Sequence, residues 1–152
     1  QKDLIAVIRR IRKLGFSIKI DTNGSDPDKL ALLFTDKLVD FVAMDVKAPL
    51  EKYPGVVQAP VEADDICRSI RLILKSNVPH EFRTTVVRSQ LTPEDLLAIG
   101  KLIHGAKRYA LQKFQPHRTL VDHYLKEKTY SDEEFIRVAK KMEKDIPLIM
   151  VR

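Results

Sequence analysis

Three observations predict an α/β fold built on parallel strands. Short apolar or β-branched runs alternate with amphipathic helical stretches from one end of the chain to the other. Single helices separate successive runs, which gives parallel pairing with right-handed crossovers rather than hairpins. Finally, several runs stop abruptly at a carboxylate or another polar group, as buried parallel strands do where their carboxyl ends open onto a site. Two runs set the pattern: Ile18-Lys19-Ile20-Asp21-Thr22-Asn23-Gly24 and Phe41-Val42-Ala43-Met44-Asp45-Val46-Lys47.

Residues 3–14 place Leu4, Ile5, Val7, Ile8, Ile11 and Leu14 at the spacing of an amphipathic helix, with Gly15 positioned to end it. Residues 16–20 read as a strand. Asp26-Pro27 opens a second helix with proline in its first turn, and residues 38–46 form the next strand. Two prolines and a glycine make residues 48–55 a loop leaving the Asp45 strand. Residues 62–75 are helical by their Ile66, Ile70 and Ile73 pattern, and residues 80–87 are a β-branched strand. Thr92-Pro93-Glu94-Asp95 is an N-cap followed by proline and acids, so a helix runs from there to His104-Gly105. Residues 109–116 form a strand, a polar connector extends through Lys128, Ser131-Asp132-Glu133-Glu134 caps the last helix, and residues 146–151 are a final strand. An open doubly wound sheet and an arc of a barrel both accommodate this order, and in either the ligand binds at the carboxyl ends of the strands.

With 152 residues the chain is long enough for one domain with a real core. A 44% apolar and 32% charged composition is that of a globular protein, and no apolar run reaches the roughly 18 residues of a membrane span. The start, Gln1-Lys2-Asp3, has neither an initiator Met nor a signal-peptide pattern, so the expectation is a cytoplasmic protein lacking its N-terminal part. Cys67 is the single cysteine, which leaves no internal disulfide and no cluster or zinc site made from several thiolates of these residues. It reads as a small half-buried hydrophobe on a helix. The net charge of +6 permits anionic partners, yet the cations are spread along helices, and Arg9-Arg10-Ile11-Arg12-Lys13 and Lys140-Lys141 read as solvated faces. There is no glycine-rich phosphate loop, nucleophile elbow or HExxH.

Asp21 with Thr22-Asn23-Gly24 offers a carboxylate, a hydroxyl and an amide on a tight turn, suited to ribose hydroxyls or a cationic amine. The plainer alternative is a loop whose Asp26 caps the next helix. Asp45 and Lys47 share a face if the strand stays regular, and they form either a grip for a zwitterion or a structural ion pair. Arg83 on a β-branched strand needs an anionic partner, a ligand carboxylate or Glu81. His80, His104, His117 and His123 lack metal-ligand spacing and read as exposed polar positions.

The ordered set Asp21-Thr22-Asn23-Gly24, Ala43-Met44-Asp45-Val46-Lys47, Phe82-Arg83-Thr84-Thr85-Val86-Val87 and Leu111-Gln112-Lys113-Phe114-Gln115-Pro116 resembles the later strands of radical S-adenosylmethionine enzymes. Within that superfamily it is most similar to the activating enzymes of glycyl-radical proteins, of the anaerobic ribonucleotide reductase and pyruvate formate-lyase type. The resemblance covers essentially the whole chain. It implies the C-terminal part of a partial (βα)6 TIM-like barrel, with residues 1–152 belonging to a single domain whose first two βα units are absent.

By the same resemblance, S-adenosylmethionine lies across the strand ends, and Asp21, Thr22, Asn23, Asp45, Lys47 and Arg83 face it or the incoming glycyl-radical peptide. Gln115 aligns with a histidine of the pyruvate formate-lyase activases and can hydrogen-bond but not titrate. The family's CxxxCxxC loop, which holds a [4Fe-4S] cluster, and its Gly-Gly-Glu-Pro motif are not in these residues. The resemblance therefore implies an intact protein that cleaves S-adenosylmethionine reductively and places a radical on a partner's glycine. The electron would come from a donor such as flavodoxin or ferredoxin, and the fragment alone would be inactive. Missing strands would expose a sheet edge through which the fragment could pair. Two alternatives stay open: another radical S-adenosylmethionine reaction such as RNA modification, although nucleic acid is not the expected partner, and a non-enzymatic α/β ligand-binding module.

Overall fold

In the computed structural model, residues 3–57, 59–116 and 122–152 are described. The expectations attached to Gln1, to His117 and to the connector at 117–121 lie outside the described residues, as does the side chain of His123. Two compact units account for the chain, one made of Gln1–Asp45 with Val61–His80 and the other of Val46–Pro60 with Glu81–Arg152.

The first unit contains α1 (Leu4–Lys13), β1 (Lys19–Thr22), α2 (Pro27–Thr35), β2 (Phe41–Asp45) and α4 (Ala63–Lys75). β1 and β2 pair in parallel with Asp21 opposite Ala43. α2 begins where the sequence says it should, because the Asp26 carboxylate accepts the Lys29 N–H at 2.9 Å and Pro27 occupies the first turn. Its end was less legible. The Leu38 N–H donates to the Leu33 carbonyl at 2.9 Å and the Lys37 N–H to the Phe34 carbonyl at 3.1 Å, a Schellman arrangement with Lys37 at φ 52° where glycine is usual. That use of Leu38 delays β2 to Phe41, three residues later than the sequence pattern predicts. β1 likewise begins at Lys19 instead of Phe16: the Ile18 N–H goes to the Asp40 carboxylate at 2.7 Å, and Phe16 stays 63% exposed. Leu30, Leu33, Val42, Met44, Ile66, Ile70 and Ile73 form this unit's interior. At about 1.5–3 kcal/mol for each large side chain, their burial outweighs any propensity in so short a strand pair.

The second unit holds α3 (Tyr53–Val57), β3 (His80–Val86, after its first residue), α5 (Pro93–Leu102), β4 (Tyr109–Lys113), α6 (Asp132–Met142) and β5 (Ile149–Val151). β3, β4 and β5 pair in consecutive parallel order, Thr85 lying opposite Gln112. Both helix starts predicted from sequence are full capping boxes, Thr92 with Asp95 and Ser131 with Glu134. Phe82, Tyr109, Leu111, Leu96, Ile99 and Phe135 are fully buried.

Two predictions need correction here. Residues 48–55 are not simply a loop: a 3-10 turn at Leu50–Lys52 leads directly into α3 despite Pro49, Pro54 and Gly55. Pro49 precedes the turn and Pro54 lies in the first turn of α3, where no intrahelical N–H is required. His80 is buried, with 6% exposure, because its Nδ1 sits 3.1 Å from the Val78 carbonyl and the ring tucks in at the start of β3. Cys67 is half-buried on α4 with a free thiol. No helix among the described residues is long and apolar enough to cross a membrane.

Candidate functional site

In the first unit the polar residues gather after β1 and at the end of β2. Thr22 Oγ1 accepts the Gly24 N–H at 3.0 Å, and Asn23 Oδ1 accepts both the N–H and the hydroxyl of Ser25 at 3.1 and 2.8 Å. Ser69, fully buried on α4, donates its hydroxyl to the Gly24 carbonyl at 2.7 Å and fixes the turn from below. Gly24 adopts φ +80°, the left-handed region that favours glycine. Asp26 does cap α2, so the plain reading of this turn is realised. It leaves Asp21 unaffected.

Asp21 is exposed and pairs with Lys19 at 2.9 Å. Because Asp21 lies opposite Ala43, Asp45 two residues further along β2 projects from the same face as Asp21. Ala43 adds little bulk between them. Asp45 is half-buried at the strand end. One face of this strand pair thus presents two carboxylates, with the Thr22–Asn23 turn beyond them.

In the second unit, Arg83 and Thr85 share a face of β3 with Ala110 and Gln112 of β4. Beyond their carboxyl ends is a cavity of about 380 Å³ lined by Lys47, Thr85, Gln90, Phe114, Tyr124 and the valines 56, 57 and 87. Phe114 and Tyr124 stand with ring centroids 6.1 Å apart, and Gln90 Nε2 donates to Tyr124 Oη at 2.8 Å. A second cavity of about 400 Å³ shares Thr85 and Phe114 and is lined in addition by Gln112, Lys113, Gln115 and Arg152. Lys47 faces the first, mostly apolar cavity and Gln115 the second, polar one.

The cations of the polar cavity are compensated from outside it. Arg152 makes a two-pronged pair with Glu81, 3.1 and 2.7 Å, and Lys113 meets Asp132 at 2.5 Å. Glu81 thus serves Arg152, across 71 residues of sequence. Arg83 itself is half-buried on β3.

Around these cavities the supporting groups are held tightly. Lys52 reaches Asp95 at 2.6 Å. Burial acts to raise the Asp95 carboxyl, and the bonds from Lys52 and from Thr92 overcome it, leaving the group below the usual carboxylate range. Burial pushes the Tyr109 phenol well above its ordinary value, so it remains a hydrogen-bond donor.

Sequence reasoning found Asp45, Lys47, Arg83 and Thr85 as strand-end groups. It missed Tyr53, Gln90, Gln112 and Tyr124. Gln112 carried a signal, a lone amide in an otherwise apolar strand, and it lies directly opposite Thr85. Tyr53 opens the short helix α3, Tyr124 lies in a 3-10 turn and Gln90 in a connector, all too short for a periodicity to mark them.

Taken separately, the first unit's carboxylates Asp21 and Asp45 suit cationic or hydroxyl groups, and the second unit's cavities, with Lys47, Lys113 and Arg152 beside apolar walls, suit an anionic group. The residues do not fit an iron-sulfur cluster, since Cys67 is the one thiol and lies on α4. Among the described residues no group of three or more His, Cys, Asp or Glu side chains could hold a metal ion.

No protein-family model matches the chain. Over a 157-residue alignment it is 33% identical to a Methanocaldococcus jannaschii protein provisionally named a glycyl-radical enzyme activating enzyme, which covers all of this chain. The chain spans 65% of that protein's length. The fold matches the crystal structure of a domain of a pyruvate-formate lyase-activating enzyme from Bacteroides vulgatus, with a TM-score of 0.77 over 99% of this chain and 90% of that one, at 14% sequence identity.

Proposed function

We propose that the chain belongs with the glycyl-radical enzyme activating enzymes and is the C-terminal part of a radical S-adenosylmethionine activase whose partner is a glycyl-radical enzyme in the cytoplasm. The observation that carries this reading is 33% identity along the whole chain to a protein given that name. The conjunction of polar strand ends with an apolar cavity supports it.

In this reading the chain's share of the work is to bind and orient. Asp21 and Asp45, with Thr22 and Asn23, suit the amine and the ribose hydroxyls, because half-exposed carboxylates on one strand face accept several hydrogen bonds without being neutralised. Lys47 and Arg83 suit the methionyl carboxylate, and Gln115 contributes a neutral hydrogen bond. When bound, the cofactors supply one-electron cleavage chemistry. Cluster thiolates would have to come from sequence outside these 152 residues.

The test is anaerobic reconstitution of the full-length gene product with iron and sulfide, reduction in the presence of S-adenosylmethionine, and an assay for 5'-deoxyadenosine. Product formation, followed by radical transfer to an offered glycyl-radical enzyme, is the expected result. A correctly assembled protein that neither binds nor cleaves S-adenosylmethionine would exclude the activase reading.

A further inference from the structure

We infer that Tyr53 is a positioning residue for Lys47, an assignment that rests on the reading of Lys47 as a ligand-binding cation. The main chain around Lys47 is held from three sides. The Val46 N–H donates to the Arg83 carbonyl at 2.8 Å, and the Val46 carbonyl accepts the Thr84 hydroxyl at 2.7 Å. The Tyr109 hydroxyl in turn donates to Thr84 Oγ1 at 2.8 Å, completing a buried relay from β4 through β3. Lys47's own N–H donates to Tyr53 Oη at 3.0 Å.

The last bond is the unusual one. β2 has ended at Asp45, so the N–H that a continuing ladder would have satisfied with a carbonyl is satisfied by a phenol from the following segment. Tyr53 is 2% exposed, so its hydroxyl sits where a substitute water has little access. The same segment supplies Val56 and Val57 to the cavity wall that Lys47 faces, so Tyr53 joins the wall to the cation. Lys52, its neighbour, is anchored to Asp95.

A lysine side chain loses considerable rotamer freedom on binding an anion, and fixing its backbone beforehand removes part of the ordering cost. A tyrosine present only to fill space would use its ring, which phenylalanine reproduces. The hydroxyl separates the two roles.

The experiment uses the full-length, anaerobically reconstituted protein and S-adenosylmethionine as titrant in calorimetry, for wild type, Tyr53→Phe, Lys47→Met and the double variant. Loss of one neutral hydrogen bond predicts binding weakened about 2–10-fold by Tyr53→Phe. In the Lys47→Met background the same change should have no further effect. Amide hydrogen exchange at Lys47 should accelerate in Tyr53→Phe. A second pair reads the other clamp: Thr84→Val should weaken binding and Thr84→Ser should restore it.

Unchanged affinity in Tyr53→Phe overturns the inference, as does an equal loss in both Lys47 backgrounds accompanied by a lower melting temperature, which is the mark of packing alone. If wild type binds and Lys47→Met binds equally well, the inference fails while the activase reading survives. Failure of the wild type to bind overturns that reading and the inference with it.

Discussion

Gly24 and Met44 are in a contact that no other residue at position 24 could keep: a Cβ built on Gly24 would lie 2.1 Å from the Met44 methyl carbon. The two lie on the first unit's turn and second strand, close to Asp21 and Asp45. The firmer demand for glycine comes from the backbone, since Gly24 has φ +80°. Replacing it with alanine should therefore destabilise the protein by about 1–3 kcal/mol, mostly from the left-handed backbone, because the methionine's flexible end can turn aside. A chemical denaturation midpoint well below that of wild type, with an unchanged slope, is the expected outcome.

Lys37 presents the opposite case. It occupies the left-handed C′ position of a Schellman turn with φ 52°, and its side chain is exposed. Lys37→Gly is expected to stabilise the chain by up to about 1 kcal/mol, the relieved strain less the added entropy of the unfolded state. Thermal unfolding of the variant would show it as a rise of a few degrees, and a lower melting temperature would show that the lysine makes compensating contacts.

The pair between Glu134 and Arg88 makes a pH-dependent contribution. Arg88, together with the Ser131 N–H, holds the Glu134 carboxyl down to about 2 from an ordinary 4.5. Arg88 also stacks 4.6 Å over the Tyr130 ring, which keeps the guanidinium in place. A depressed carboxyl stabilises the fold above its unfolded value and ceases to do so as the pH falls through its folded value. The advantage of wild type over Glu134→Gln should thus be full near neutrality and shrink between pH about 4.5 and about 2. Melting curves of both proteins across that range give the measurement, and a constant gap would show that the charge is not the cause.

For ligand binding, Arg83 and Gln115 should differ. Under the proposed function Arg83→Met removes a charge-assisted contact and should raise the dissociation constant for S-adenosylmethionine at least 10-fold, whereas Gln115→Ala, removing an exposed neutral group, should change it less than about 5-fold. Equilibrium dialysis on the full-length protein distinguishes them. Equal effects would mean that the two residues act together.

What could be read in the sequence was local. Asp26, Thr92 and Ser131 announce their helices because an N-cap bond spans only three residues. The order of strands and helices followed from alternation alone, and the strand-end residues Asp21, Asp45, Lys47 and Arg83 stood out as polar groups on apolar runs. Strand limits were not legible at Phe16 and Leu38, where an apolar residue serves a turn or lies exposed instead of extending the ladder. Nor could the sequence show that Tyr53 would meet Lys47, or Arg152 meet Glu81, since neither pairing has a periodic trace. The burial of His80 depended on a local carbonyl that composition does not reveal.

The interleaving of the two units has a consequence for how the chain is made. The first unit takes its strands from residues before 46 and its last helix from the stretch ending at His80, while residues 46–60 belong to the other unit. During synthesis from the N-terminus, β1 and β2 emerge well before α4, whose Ile66, Ile70 and Ile73 complete their interior. Val46, whose main chain is held by Arg83 and Thr84, emerges long before either. Residues 46–60 therefore wait on the ribosome without their partners until β3 has been translated.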